Sequence, residues 1–317
     1  MSKKSYTLAG LFAGVGGIEL GFEKAGFQPI FANEIDEKAS VTYRLNHKHE
    51  LVTLDVNNLD SIDVPKIDVL TGGFPCQAFS VAGYRKGFKD PRGNVFFEIV
   101  RLLEDLKPKV VFLENVKNLG SHDNGKTFRI ILESLEEIGY HVKYKVLNSD
   151  GYGGVPQNRE RIYIVGFRSK KAYEQFEFPV KLKSKPELSD FIDFNNKVDK
   201  RYYYEDKYMA QELRKVITHS NTVYQWRRHY VRENKSGVCP TLTANMGTGG
   251  HNVPLIYTRH GIRKLTPKEC FNLMGFPKSF KLPPNLADSH LYKQAGNAVV
   301  VPVITRIARN ILSALEA

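Results

Sequence analysis

The stretch Thr71-Gly72-Gly73-Phe74-Pro75-Cys76-Gln77-Ala78-Phe79-Ser80 decides how the rest of the chain is read. It follows Ile67-Asp68-Val69-Leu70, a short apolar run that reads as a buried strand. Two glycines and a proline end that strand in a tight turn. A cysteine just past the carboxyl end of a strand stands at the rim of a sheet, where α/β proteins place ligands. Lys109 to Leu113 reads as a second such strand and delivers Glu114-Asn115-Val116. One sheet edge thus presents a thiol and a carboxylate, a pairing suited to attack on an electron-poor ring with proton management beside it.

Upstream, residues 6–12 read as a first strand, followed by Ala13-Gly14-Val15-Gly16-Gly17 and an apolar helical pattern that ends at Gly26. Strand, glycine turn and helix in that order form the layout of a nucleotide-type cofactor site. Phe31-Ala32-Asn33-Glu34 reads as strand two, its acid about 20 residues beyond the glycine turn, where a carboxylate meets ribose hydroxyls. Val52-Thr53-Leu54-Asp55 reads as a third strand, also ending in an acid. No Walker-type lysine and Ser/Thr pair accompanies the turn, so an adenosyl ligand without phosphates fits better than ATP. The competing reading makes each acid a cap for the helix that follows it.

Downstream, residues 80–97 form a long glycine-rich, basic and aromatic loop that reads as a lid. Helices over 96–106 and 127–138 alternate with strands over 109–113, 142–147 and 162–167. Gln157-Asn158-Arg159-Glu160-Arg161 enters the last of these strands, and its arginines suit either the same cleft or surface ion pairs.

With 317 residues the chain exceeds what one compact core holds, so a large and a smaller domain are expected. Its 42% apolar and 25% charged content is that of a globular protein, and no stretch reads as a membrane span or a signal peptide. Cys76, Cys239 and Cys270 are too few and too scattered for a disulfide framework or a zinc cluster. A reducing, cytoplasmic compartment and no metal are therefore expected. From about Ser169 the βα rhythm stops while lysines, arginines and tyrosines accumulate. Between Lys170 and Lys268 there are 19 Lys/Arg against 10 Asp/Glu, which is +9 of the chain's net +12. A basic surface concentrated in one region is the footprint of a polyanion, against the blander reading of a solvated basic face. Trp226 to Arg232 interleaves aromatics with arginines, and Thr241 to Asn252 is rich in glycine and amides; both suit reading of base edges.

Taken in order, six motifs resemble the cytosine-C5 DNA methyltransferase family: Leu11 to Gly17, Gly73-Phe74-Pro75-Cys76-Gln77, Glu114-Asn115-Val116, Gln157 to Arg161, Arg263 to Glu269, and Gly296-Asn297-Ala298-Val299. They span nearly the whole chain in the family's usual order, with the length of its compact bacterial members. The resemblance implies a Rossmann-like S-adenosylmethionine-dependent sheet with a second, smaller, mostly irregular or β target-recognition domain. The expected division is 1–184 plus 294–317 for catalysis and cofactor, and 185–293 for target recognition and hinge.

The resemblance also implies roles. Cys76 adds to C6 of a flipped-out cytosine; Glu114 handles N3 and the exocyclic amine; Arg161 faces O2 with Arg159 in support; Asn115 orders the backbone. Phe12, Gly14, Gly16, Gly17, Glu34, Ile35, Asp55, Val56, Pro75 and Asn297 are expected around S-adenosylmethionine. Gln77, Ser80, Arg92, Arg227, Arg228, Arg232, Thr241, Asn245, Gly249 and Gly250 are expected on double-stranded DNA. The protein is expected to be a monomer and the modification enzyme of a restriction–modification pair, sharing its site with a cognate endonuclease it need not bind. An RNA-directed member and a DNA-binding module without catalysis are the alternatives. Two positions depart from the family: Gly10 stands where an acid commonly precedes Leu-Phe, and Ile35 where an aromatic commonly stacks on adenine. Both imply weaker adenosyl binding.

Overall fold

The computed structural model describes residues 5–75, 95–184, 186–204, 210–227, 229–248 and 252–317. The expected lid over 80–97 and the expected site residues Cys76, Gln77, Ser80, Arg92, Arg228, Gly249 and Gly250 therefore lie outside the described residues, apart from the lid's last three positions.

The chain divides into two compact units. The first comprises Met1–Leu147, Glu160–Val180 and Val303–Ala317; the second comprises Asn148–Arg159 and Lys181–Pro302. The expected division placed 148–159, 181–184 and 294–302 with the first unit, whereas here all three stretches pack with the second.

The first unit is built on a seven-stranded sheet of order β3-β2-β1-β4-β5-β7-β6. Its strands are β1 (Thr7–Leu11), β2 (Gln28–Glu34), β3 (Glu50–Thr53), β4 (Val69–Gly72), β5 (Val110–Val116), β6 (His141–Asn148) and β7 (Glu160–Phe167). β1 pairs in parallel with β2 and β4, β2 with β3, and β4 with β5, while β7 runs antiparallel to β5. The central strands are buried along nearly their whole length because helices cover both faces; the edge strands β3 and β6 leave almost all of their residues partly or fully exposed. Among the covering helices, α1 (Gly17–Glu23) follows β1 and α2 (Glu37–Asn46) follows β2. α3 (Val95–Leu106) buries Phe96, Ile99, Val100 and Leu103, and α4 (Lys126–Glu137) buries Phe128, Ile131 and Leu135, both at helical spacing. These side chains join Leu11, Phe31, Leu70, Val111 and Leu113 in one core.

The C-terminal helix Val301–Glu316 buries Val303, Ile304, Ile307 and Ile311. A Cβ at Gly21 of α1 would lie 2.5 Å from Ile304, so the glycine sets how closely the two helices approach. Together with Asp288–Asn297, this helix makes the stretch 288–316 long and apolar enough to cross a membrane. Residues 298–300 interrupt it, however, and 56% of its most apolar window is buried, as for a core helix.

The second unit carries a four-stranded antiparallel sheet of order β11-β10-β8-β9, formed by β8 (Tyr224–Arg227), β9 (Tyr230–Glu233), β10 (Val253–Thr258) and β11 (Gly261–Lys264). Tyr224, Val253, Leu255 and Ile262 pack there with Leu213 of the helix Ala210–Val216 and with Ile217 just past its end. The remaining connections are irregular, in keeping with the weak periodicity of the sequence. The turn predicted at Arg263 to Glu269 leads into the helix Pro267–Leu273 through a capping box. Thr266 accepts from Glu269 N and Glu269 accepts from Thr266 N. Arg263 is fully buried in a two-pronged pair with Glu269, with Nη1 at 2.8 Å and Nη2 at 2.7 Å.

Candidate active site

The glycine turn after β1 bends through three residues at positive φ: Phe12 at 53°, Gly14 at 58° and Gly16 at 85°. Glycine adopts such angles freely, but a phenylalanine does so only where its surroundings hold it there. Phe12 is half-buried against the core below the sheet edge. A Cβ placed on Gly14 would meet nothing within 4 Å, so open space lies over the turn. One placed on Gly16 would lie 2.0 Å from His47 Nε2, and Gly17 opens α1.

Glu34 ends β2 and clamps this turn. Its Oε2 accepts from Gly14 N at 2.6 Å and its Oε1 from Asp36 N at 2.8 Å. Each carboxylate oxygen keeps a further lone pair. Ile35 beside it is 61% exposed, an apolar surface left uncovered. β3 stops at Thr53, so Asp55 stands two residues past the strand rather than at its end. Its Oδ1 caps the short 3₁₀ turn Val56–Asn58 by accepting from Asn57 N, with Val56 buried beneath. The capping reading holds for Asp55 but not for Glu34, since Asp36 caps α2 while Glu34 ties the glycine turn to the backbone just past its own strand.

One residue near the turn was missed by sequence reasoning. Glu19, in the first turn of α1, is 1% exposed, and its carboxyl reaches back to Gly10. Burial, reinforced by the nearby Glu34 charge, pushes its pKa up to about 8. The signal lay in the glycine at position 10, which leaves a side-chain space beside β1 for something else to fill. Around it, Tyr43 hydrogen-bonds His49, and burial brings His47 down to about 4 and lowers His49.

The strand end that leads into Cys76 is tied to the strand that carries Glu114. Asn115 Nδ2 donates to Phe74 O at 2.7 Å, and a Cβ on Gly73 would lie 3.5 Å from Glu114 Oε2. Pro75 is the last residue described before Cys76. β5 extends to Val116, so Glu114 and Asn115 sit within the strand rather than beyond it. The cause is β7, whose antiparallel pairing runs on to Val116 opposite Arg161. Arg161 therefore lies diagonal to Glu114 on one face, within reach of a long side chain. Its Nε stands 3.0 Å from Glu114 Oε1, and its Nη1 donates to Glu160 O at 2.8 Å. The strand end at Gly73-Phe74, a carboxylate and a guanidinium thus converge on one sheet edge.

Arg159 belongs to the second unit. It is 2% exposed, and its guanidinium donates to Leu242 O at 2.8 Å, Gly296 O at 2.9 Å and Ala298 O at 2.8 Å. Gln157, fully buried, donates to Leu273 O and accepts from Leu242 N. Gly296 packs so closely that a Cβ there would come 2.2 Å from the Thr243 carbonyl carbon. Asn297 is exposed at the end of the helix Asp288–Asn297. Among the expected DNA contacts, Thr241 donates to Asn158 O at 2.6 Å, and Asn245 accepts from Thr243 in an exposed turn. Arg227 and Arg232 lie on neighbouring strands of the β8–β9 hairpin, where Arg227 donates to Gln225 Oε1 at 3.1 Å. Among the described residues no group of three or more His, Cys, Asp or Glu is placed to hold a metal.

Residues 6–313 match the family of C-5 cytosine-specific DNA methylases. The chain is 59% identical over 312 residues to the Type II methyltransferase M.Bsp6I of Bacillus sp. (strain RFL6), covering 97% of this chain and 99% of that one. It is 39% identical over 324 residues to the Type II methyltransferase M.HhaI of Haemophilus parahaemolyticus, covering 96% and 94%. Among solved structures, the Entamoeba histolytica methyltransferase EhMeth superposes with a TM-score of 0.78 at 18% identity over 99% of this chain and all of that one. A putative DNA modification methyltransferase from an Escherichia coli prophage gives 0.73 at 22%, over 99% of this chain and again all of that one. With the sheet order, the glycine turn and the carboxylate–guanidinium pair in place, the chain belongs to the C-5 cytosine-specific DNA methylases, among the Type II methyltransferases of restriction–modification systems.

Proposed function

We propose that the protein methylates C5 of a flipped-out cytosine in double-stranded DNA, using S-adenosylmethionine and a covalent bond from Cys76 to C6. The observation that carries this reading is the join between the turn leading to Cys76 and the strand bearing Glu114, made by Asn115 and completed by Arg161.

S-adenosylmethionine, when bound, supplies the methyl group as an electrophile. The residues present fit it. Gly14 leaves open space over the turn, Phe12 and the exposed Ile35 offer apolar surface to adenine, and Glu34 and Asp55 keep acceptor capacity for ribose hydroxyls and the adenine amine. Val56 and Pro75 border this side, and Asn297 is assigned to it from the last motif.

Cytosine C5 is a poor nucleophile. Addition of the Cys76 thiolate to C6 forms the S–C bond and moves electron density through the ring, so that C5 becomes electron-rich. Charge gathers on N3 and O2 and must be met as it develops. Glu114 shares a proton with N3 and accepts from the exocyclic amine, while Arg161 turns its remaining N–H groups to O2. Once C5 has taken the methyl group from the donor, loss of the C5 proton to a base expels the thiolate and restores the ring. Attack comes from above the ring face, so the base leaves the stack, at a cost of a few kcal/mol. The other two thiols do not compete: both are buried, and burial pushes Cys239 and Cys270 far up from ordinary values. Arg159, with its guanidinium on three main-chain carbonyls, positions the backbone of the second unit rather than touching the base. That unit carries the target-recognition surface, with Arg227, Arg228, Arg232, Thr241, Asn245, Gly249 and Gly250 toward DNA, and Gln77, Ser80 and Arg92 approach from the Cys76 loop.

The test is transfer of label from radiolabelled S-adenosylmethionine to duplex DNA and to tRNA, with 5-fluorocytosine DNA as a trap. Label in DNA and an adduct on Cys76, both lost in Cys76→Ser, are expected. Label in tRNA alone, or an adduct on Cys239 or Cys270, overturns the reading.

A further inference from the structure

Glu19 is the buried acid for which the fold provides least. Neither of its carboxyl oxygens has a hydrogen-bond partner among the described residues. Its place is nevertheless built. A Cβ on Gly10 would lie 1.9 Å from Glu19 Oε1 and 2.8 Å from its Cδ, so only glycine at position 10 leaves the carboxyl room. Position 10 is also where the resembling motif commonly carries an acid of its own. In this chain the carboxyl reaches the same spot from α1 instead of from β1.

No cation among the described residues answers it. The groups that face it are Glu34 from β2, Glu23 one turn along α1, and Tyr43 from α2, with His47 and His49 behind Tyr43. Glu34 and Glu23 are acids, and burial pushes Tyr43 far up, so that it stays neutral. Both histidines are shifted toward the neutral form. Burial is the main reason Glu19 itself stays protonated up to about pH 8. The acid therefore lies beside Gly10, two residues before the glycine turn and in the field of the Glu34 that clamps it, protonated and with no side-chain partner among the described residues. The ligand assigned to that turn carries an ammonium, a carboxylate and a sulfonium at its methionine end, a net charge of about +1.

We propose that Glu19 is the counter-ion for the cationic methionine end of the methyl donor, a carboxyl held neutral behind the turn that releases its proton to solvent when that cation binds. The proposal rests on the reading of the turn as the S-adenosylmethionine site. A cation beside a buried acid favours its charged form, and binding that needs the charged form tightens as pH rises toward the acid's own pKa. Between pH 6 and 7 the free protein holds Glu19 protonated. The dissociation constant then falls by up to about tenfold across that unit, with close to one proton released per ligand. The ligand's own amine, titrating near 8, stays protonated over this range.

The experiment is isothermal titration of the full chain with S-adenosylmethionine at pH 6 and pH 7, in buffers of different ionisation heat, for wild type and Glu19→Gln. Proton release and the pH slope in wild type, both absent in Glu19→Gln, are expected. Loss of the carboxylic-acid C=O band in an infrared difference spectrum of wild type with ligand reads the same event without a variant. S-adenosylhomocysteine, which keeps the ammonium and lacks the sulfonium, assigns the cation: release with both ligands points to the ammonium, release with the donor alone to the sulfonium. Binding without proton release, or release that survives in Glu19→Gln, overturns the proposal while leaving the site reading intact. No binding by wild type at either pH overturns the site reading itself.

Discussion

Replacing Gly10 with alanine tests whether the Glu19 carboxyl lies where the structure puts it. Gly10 sits mid-sheet, paired with Ala32 and Thr71, and its backbone is not in the left-handed region. An alanine there faces no conformational penalty. In an open site it stabilises by about 0.4–1 kcal/mol, because it restricts the unfolded chain. With Glu19 present, however, the new carbon would meet Oε1 at 1.9 Å, Cδ at 2.8 Å and Cγ at 3.3 Å. The side chain is 1% exposed, so it moves aside only by displacing the groups packed around it. Overpacking of that kind costs about 1–3 kcal/mol. Gly10→Ala should therefore destabilise the wild-type chain by about 1–2 kcal/mol net, yet stabilise or leave unchanged a Glu19→Ala chain. The double-mutant cycle should give a coupling of about 2 kcal/mol. Urea midpoints of the four proteins, compared at constant m, supply the measurement. An equal cost of Gly10→Ala in both backgrounds would refute the placement of Glu19.

Asn115→Ala removes the donor to buried Phe74 O and the acceptor for Val116 N. A loss of about 1–3 kcal/mol in the urea midpoint is expected. Single-turnover methylation should slow while the S-adenosylmethionine dissociation constant stays put, since the turn before Cys76 loosens and the glycine turn does not. Gly296→Ala places a carbon 2.2–2.4 Å from the backbone of Thr243 and Ala244, neighbours that cannot rotate away. A cost of about 3 kcal/mol, read as a drop in Tm, should come with weakened DNA binding as the Thr243–Asn245 turn shifts.

What the sequence made legible follows the range of the forces involved. The strands of Leu8 to Leu11, Val69-Leu70 and Val110 to Leu113 announce themselves because a strand buried on both faces is apolar without interruption. The α3 and α4 patterns are as plain, since one helical face meets the core. Glu114 was placed past its strand because nothing local tells that β7 pairs antiparallel as far as Val116. Arg159 was read with Arg161 because the two share a motif. Its partners at Leu242, Gly296 and Ala298 are more than 80 residues away in sequence, and no spacing rule reaches them.

The two glutamates at the glycine turn show how far such local reading goes and where packing takes over. Glu34 was found by its distance from the glycines, and the fold supplies it with two backbone N–H donors. Glu19 carries no such signature, and only its own backbone N–H works against its burial. The Glu34 charge adds to the effect of burial on Glu19, and the surroundings decide which of the two acids is compensated. The donors go to Glu34, which shapes the turn before any ligand arrives, and the enclosure goes to Glu19, whose carboxyl is left with its proton. A cation entering the turn then finds one acid already engaged and one able to answer by ionising. That asymmetry, set by which carboxyl the amides of Gly14 and Asp36 can reach, is the ground on which the proposed coupling of donor binding to pH through Glu19 rests.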